Sequence, residues 1–187
     1  MRLRLTTLLL AGLLVTSAAR ATDFRIDATR SHAVFSVRLL WLHTINGRFT
    51  QIAGTVKVDP QGLSTVDASI AVDSIAMESE RFRRWVLAPE FFDAARYPTI
   101  RFLSDPVPYA RLSSGGVLNG QLTLRGVTRA VRFELLPAGC SPANTQNCLI
   151  EARGSISRSA FGMSGRRGTL SDQVQLGLVI ALAAAPN

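Results

Sequence analysis

The chain has 187 residues and a formal net charge of +8, from 21 basic and 13 acidic side chains, a length that suits one domain. The basic residues are scattered along the chain instead of clustered, which argues against a nucleic-acid partner. None of the apolar runs reaches the roughly 20 residues that a membrane-spanning helix needs, so we expect no transmembrane anchor.

Residues 1–21 have the features of a secretory signal peptide. Arg2 and Arg4 precede an apolar run over residues 5–15, and Ala19-Arg20-Ala21 supplies a small-x-small cleavage site. We therefore predict a signal peptide over 1–21, a single domain over 22–187, and a periplasmic or secreted location.

The two cysteines, Cys140 and Cys148, flank a turn-rich segment between two strand-like runs. In an oxidising compartment we expect them to form a disulfide. Closing so small a loop stabilises a fold by about 2–3 kcal/mol. Their spacing is not that of a CxxC redox pair, which argues against thiol catalysis.

The first half of the domain alternates between apolar and polar residues, as half-buried strands do. A short strand is predicted over 24–27, and a longer one follows with Ala33, Phe35, Val37 and Leu39 on its inner face and His32 on the other. Asn46-Gly47 predicts a tight turn. A strand over 48–58 then ends at the turn residues of 59–62.

The second half continues the same pattern. Strands are predicted over 65–72, 99–107, 117–124, 130–136, 149–157 and from 174 to the C-terminal region. The hairpin formed by 117–124 and 130–136 directs a set of apolar side chains inward: Leu122, Leu124, Val131, Phe133 and Leu135.

Residues 80–102 interrupt the alternation with a cluster of aromatic side chains. Pro89 ends a helix of one to two turns, because the residue before a proline is pushed out of the helical region. A second turn is predicted over 90–95, and a strand begins at Thr99. A long aromatic connection of this kind is typical of a functional cap over a barrel mouth, and the alternative is a plug that closes one end of a β core.

About eight short strands with short turns predict an all-β, antiparallel sandwich or barrel. We favour a barrel of about eight strands with a short helical cap, since an aromatic cap suits an open mouth. A barrel of that size is large enough to hold one small ligand.

Several motifs occur in a recognisable order: SHAVFSVRL, NGRF, PEFFDAARYPTIRF, GQLTLRGVTRAVRF and RSAFG. Together they resemble the YceI family of exported, lipocalin-like polyisoprenoid-binding proteins. The resemblance implies a lipocalin-like barrel that holds a long isoprenoid lipid, such as a polyprenyl lipid or an isoprenoid quinone. It also implies a homodimer without catalytic residues, and no cofactor other than such a ligand.

The side chains expected to contact the ligand are apolar or aromatic: Phe35, Val37, Leu39, Phe82, Trp85, Phe91, Phe92, Phe102, Leu122, Leu124 and Phe133. Three arginines beside them, Arg81, Arg83 and Arg84, are candidates for a head group or an anionic membrane face. The alternative is a solvated helix face paired with Glu78 and Glu80. Phe161 in RSAFG is expected in the core.

The chain departs from the family pattern at polar positions. Arg30-Ser31 stands where members commonly have a His-Ser pair, Leu39 replaces a later His, and 82–85 replaces an Arg-Asp-x-His run. The exchanges favour an apolar tail in the cavity, or else a filled core without a ligand.

The residue inventory gives little basis for an enzyme. His32 and His43 are the chain's two histidines, and neither a GxSxG elbow nor an HExxH metal motif occurs. A Ser-His-Asp triad stays open, since its members can lie far apart in a chain. We predict a non-enzymatic extracytoplasmic carrier without a metal site; the alternative is a ligand-free envelope protein whose barrel serves a protein partner.

Overall fold

The structure, a computed structural model, describes residues 22–40, 42–138, 149–166 and 168–184. Over these residues the strands are β1 (Thr22–Ile26), β2 (His32–Leu39), β3 (His43–Phe49), β4 (Ile52–Val58), β5 (Leu63–Ala71), β6 (Ile75–Ala76), β7 (Thr99–Ser104), β8 (Val107–Pro108), β9 (Gly116–Leu124), β10 (Val127–Leu135), β11 (Leu149–Ser157) and β12 (Leu170–Ala184). The helices are α1 (Glu80–Leu87), α2 (Arg111–Ser114) and two 3-10 helices, Val72–Ser74 and Arg158–Phe161. The predicted signal peptide and the Cys140–Cys148 pair lie outside the described residues.

Eight strands close an antiparallel barrel in the order β1-β4-β5-β7-β9-β10-β11-β12, and β12 pairs back with β1. β12 is 15 residues long because its C-terminal part pairs with β1 and the rest with β2. β2, β3 and β6 continue the sheet from β12. The predicted all-β antiparallel barrel of about eight strands with a short helical cap is thus confirmed.

One end of the barrel gathers four chain connections. Because neighbouring strands are antiparallel, the links β2–β3, β5–β7, β9–β10 and β11–β12 all leave from the same end. The β5–β7 link contains α1 and the turns that follow it. We call residues 80–98 the lid and this end of the barrel the lid end.

β2 shows why the sequence alternates. Ala33, Phe35 and Val37 are 6–8% exposed, whereas Val34 between them is 40% exposed. Every second side chain of β2 therefore points into the core, and these residues form the inner face that the sequence predicted.

The predicted turn at Asn46-Gly47 is wrong. Both residues lie inside β3, and the chain reverses instead between Leu39 and His43, where the amide of Leu42 donates to the carbonyl of Leu39. Gly47 is present for a different reason: it faces Phe35 across the β2–β3 ladder, and a Cβ there would lie 2.3 Å from the Phe35 ring.

Strand boundaries also differ from those predicted. The strand over 48–58 is interrupted at Thr50 and Gln51, which bond instead to the oxygens of Ser74. β10 begins at Val127 because Arg125 and Gly126, with φ of 54° and 72°, form a two-residue hairpin turn of the type that suits twisted strands. β12 begins at Leu170 instead of 174.

The predicted helix, turn and strand order of the cap is present. α1 ends at Leu87, and Ala88 before Pro89 is extended with ψ of 163°. Turns follow, and β7 begins at Thr99. In the described ranges, no helix has the length and apolar character needed to cross a membrane.

Candidate ligand-binding cavity

An internal cavity of about 180 Å³ lies inside the barrel, and all of its exposed surface is apolar. β5 and β12 show where the core is hollow. Their inward residues are only half-buried, although they face the barrel axis and line the cavity: Val66, Ala68, Ile70, Leu176, Leu178 and Ile180. The barrel thus encloses space that its own side chains leave unfilled.

Interior rings pack against glycines on neighbouring strands. A Cβ at Gly120 would lie 2.7 Å from the Phe102 ring, and one at Gly154 would lie 2.8 Å from the Phe133 ring. Gly47 makes the same room for Phe35. The glycines let these rings lie close to the barrel wall, which keeps ring volume out of the centre of the cavity.

The lid closes the cavity with aromatic contacts. Phe92 meets Phe49 edge to face, with ring centres 5.6 Å apart, and Phe35 at 6.1 Å. Trp85 meets Phe91 edge to face at 5.3 Å and stacks with Phe82 at 6.1 Å. Aromatic pairs of this geometry add about 0.5–1.5 kcal/mol each beyond burial.

Three arginines hold the lid. Arg83 donates to the backbone oxygens of Asp73 and Ile75, each at 2.9 Å. Arg125, from the β9–β10 turn, donates to the backbone oxygen of Phe91. Arg166 lies over Trp85 with its guanidinium carbon 3.9 Å from the ring centre, a cation–π contact.

The predicted site residues fall into two groups. Ten of the predicted ligand contacts line the cavity: Phe35, Val37, Phe82, Trp85, Phe91, Phe92, Phe102, Leu122, Leu124 and Phe133. Leu39 is not part of the lining and packs against the core near the end of β2, opposite Leu170.

The three head-group candidates do not act as one group. Arg83 is bonded to backbone oxygens beside α1, whereas Arg81 and Arg84 are exposed. Ion pairs within the described ranges join Arg30 to Asp27 and Arg101 to Asp67, so the predicted pairing of the helix arginines with Glu78 and Glu80 is absent there.

Sequence reasoning missed Arg158, which is 3% exposed. Its guanidinium donates to the backbone oxygens of Met163, Gly165, Leu170 and Ser171 at 2.7–3.1 Å. These bonds fix the loop that carries Arg166 to the lid. Arg158 belongs to the RSAFG motif, but nothing in the motif indicates that its arginine is buried.

Asp172 fixes the residues on either side of Arg158, Ser157 and Ser159. It accepts hydrogen bonds from the Ser157 hydroxyl and from the Ser159 amide. The bond from Ser157, followed by those from Ser159, lowers the pKa of Asp172. Phe161, between these anchors, is 2% exposed and belongs to the core.

The titratable residues do not gather at the cavity. His32 and His43 lie at opposite ends of the β2–β3 sheet, and burial, followed by the charge of Arg48, lowers the pKa of His32. Among the described residues, no group of three or more His, Cys, Asp or Glu side chains is placed to hold a metal ion. The surface that the cavity presents is apolar.

Known proteins share both the sequence pattern and the fold. The sequence model of the YceI-like domain matches residues 24–182. Protein YceI of Salmonella arizonae is 28% identical over 179 residues, which are 89% of this chain and 90% of that protein.

Two solved structures have similar folds. BcnA of Burkholderia cenocepacia superimposes with a TM-score of 0.72 at 21% identity, over 85% of this chain and 99% of that one. A polyisoprenoid binding domain from Saccharophagus degradans, described as implicated in plant cell wall breakdown, gives 0.63 at 16% identity, over 88% and 99%. The domain match covers nearly all of the barrel, and this chain belongs to the YceI-like family.

Proposed function

We propose that the protein is an extracytoplasmic binding or carrier protein for a long-chain isoprenoid lipid, such as a polyprenyl lipid or an isoprenoid quinone. The observation that carries the proposal is the wholly apolar cavity enclosed by the barrel and the aromatic lid. The structural likeness to a domain named for polyisoprenoid binding supports the same ligand class.

The energetics suit a lipid tail. Removing ~600 Å² of apolar ligand surface from water contributes on the order of 15 kcal/mol before other terms. Lost motion of the ligand and ordering of its chain offset much of that gain. A micromolar or tighter complex is the expected result.

The volume sets a condition on the ligand. An apolar cavity of about 150 Å³ holds one benzene molecule, and this cavity measures about 180 Å³. A chain of several isoprene units therefore needs more room than the closed state offers. The lid is the part that can supply it, since it consists of a two-turn helix and turns and is not bonded into the barrel ladder.

Lipid extraction and native mass spectrometry of protein purified from its own envelope test the proposal. We expect a stoichiometric isoprenoid lipid on the wild-type protein. Ala68→Phe, which fills the cavity from β5, should lose the lipid, whereas Ala53→Phe on the exposed face of β4 should retain it. A clean ligand-free mass for the wild type under gentle conditions would refute the proposal.

The second candidate is a ligand-free envelope protein whose barrel serves a protein partner. The small closed volume is the observation that favours it. In that case the wild type, Ala68→Phe and Ala53→Phe all carry no lipid.

Location and assembly are further parts of the proposal. Cell fractionation should recover the mature protein, starting at Thr22, from the periplasm or the medium. Sedimentation equilibrium should show the homodimer that the family resemblance implies, and a monomer at all concentrations would contradict that part.

A further inference from the structure

The β2–β3 turn exposes two large apolar side chains at the lid end. Leu42 is 85% exposed and Leu40 is 53% exposed. We call these two residues the hairpin tip. Transfer of leucines this exposed from water into an apolar phase lowers the free energy of the protein.

The hairpin tip is bonded to the loop that holds the lid. The amide of Leu40 donates to the backbone oxygen of Thr169 at 2.7 Å. The amide of Thr169 donates in turn to the backbone oxygen of Arg166 at 3.1 Å, and the Arg166 side chain covers Trp85. A continuous series of contacts thus joins the hairpin tip to the lid.

Two exposed arginines lie next to the hairpin tip, one near the end of β2 and one in the loop to which the tip is bonded. Arg38 is exposed near the end of β2, and Arg166 is exposed in the adjoining loop. Neither belongs to the ion pairs found in the described ranges. Of the exposed acidic residues of the lid region, Glu90 lies beside Gly165, the neighbour of Arg166, but it forms no ion pair with Arg166 in the described ranges. Each arginine near an anionic bilayer adds about 1 kcal/mol of attraction.

We propose that the hairpin tip docks the protein onto an anionic membrane surface with the lid end toward the lipid. Leu40 and Leu42 enter the interface between head groups and acyl chains, while Arg38 and Arg166 meet lipid phosphates. Because docking draws Arg166 toward phosphate, it competes with the contact between Arg166 and Trp85. The membrane thereby loosens the lid where a lipid would enter or leave.

Vesicle co-sedimentation with mature protein tests docking without any isoprenoid present, so its failure is distinct from failure of the proposed function. Vesicles of phosphatidylethanolamine and phosphatidylglycerol are compared with vesicles of phosphatidylcholine. We expect binding to the anionic vesicles, and a roughly tenfold or larger loss of partitioning for Leu40→Ser/Leu42→Ser.

Two controls separate the contributions. Leu149→Ser, at a leucine that is 45% exposed at the opposite end of the barrel, should bind vesicles like the wild type. Arg38→Gln should weaken binding to the anionic vesicles alone. Circular dichroism confirms that each variant is folded.

Three results would overturn the proposal. The first is that the wild type does not bind anionic vesicles. The second is that Leu40→Ser/Leu42→Ser and Leu149→Ser lose vesicle binding equally. The third is that the wild type is a dimer in solution and Leu40→Ser/Leu42→Ser is a monomer. The last result would assign the hairpin tip to a second copy of the chain.

Discussion

The ring of Phe35 occupies the space in which a Cβ of Gly47 would lie, on the strand next to its own. A methyl group at Gly47 would be 2.3 Å from the nearest ring carbon, well inside van der Waals contact. Phe35 also touches Phe49 and Phe92, so any shift of this ring is passed to the lid.

Gly47→Ala should therefore destabilise the fold by about 1–3 kcal/mol, the usual result of overpacking a core. Denaturant unfolding measures this loss. Gly168→Ala is the matched control, because a Cβ at Gly168 has no neighbour within 4 Å. Equal stability of the two variants would show that Phe35 moves away without a penalty.

Phe35→Asp should abolish folding or ligand retention, because an unpaired carboxylate inside the barrel costs several kcal/mol. Arg38→Asp, at an exposed position three residues along the same strand, should leave folding unchanged. Thermal unfolding and lipid content are measured on both. Equal damage from both substitutions would contradict the inward face assigned to β2.

Trp85→Ala should speed ligand release more than it lowers stability, because Trp85 is only partly buried and belongs to the lid. Phe161→Ala is the comparison, since Phe161 is 2% exposed and its truncation should cost about 3–5 kcal/mol. Ligand off-rate and melting temperature are measured for each. A large fall in melting temperature with an unchanged off-rate for Trp85→Ala would show that residues 80–98 are a plug that closes one end of the barrel.

Asp27 makes stability depend on pH at the acid end. Hydrogen bonds from the Thr29 side chain, then from Arg30 and the Thr29 amide, lower the pKa of Asp27 from 3.8 to about 2. A carboxyl with a lowered folded pKa adds stability above its unfolded pKa, and that stability is lost as pH falls through the folded pKa.

Asp27→Asn should therefore be less stable than the wild type at neutral pH, and the difference should shrink as pH falls from about 3.8 to about 2. Urea unfolding across this range measures it. Asp105→Asn, at an exposed position, is the control. A difference that stays constant with pH would show that the effect is not the titration of Asp27.

The pairing of Cys140 with Cys148 stays a prediction. Alkylation of the native, unreduced protein should label neither thiol, and reduction should make both reactive. Labelling of both without reduction would show that they do not pair in the mature protein.

Local patterns predicted the strands well because burial acts on every second residue. β2 and β11 show this best: the alternation of their side chains specified both the element and its inward face. The break at Pro89 likewise predicted the end of α1, since the effect of proline on its neighbour is local.

Long-range contacts could not be predicted in this way. Asn46-Gly47 has turn chemistry, but Gly47 is required by a ring on another strand. Arg125 and Arg166 hold the lid from turns far along the chain, and Arg158 is buried by a loop that follows it. Leu39 has the alternation of a cavity residue, yet the lining ends before it. These roles depend on which segments meet, which no local pattern records.

The apolar interior also limits which ligands the barrel can distinguish. Its surface offers no donor or acceptor, so it has no means to read a functional group on a chain that enters it. Branched and straight hydrocarbons of similar girth and flexibility would be accepted alike, and only width, length and stiffness would sort them. Any chemical discrimination among lipids would then fall to polar groups outside the cavity, such as the exposed Arg81, Arg84 and Arg166.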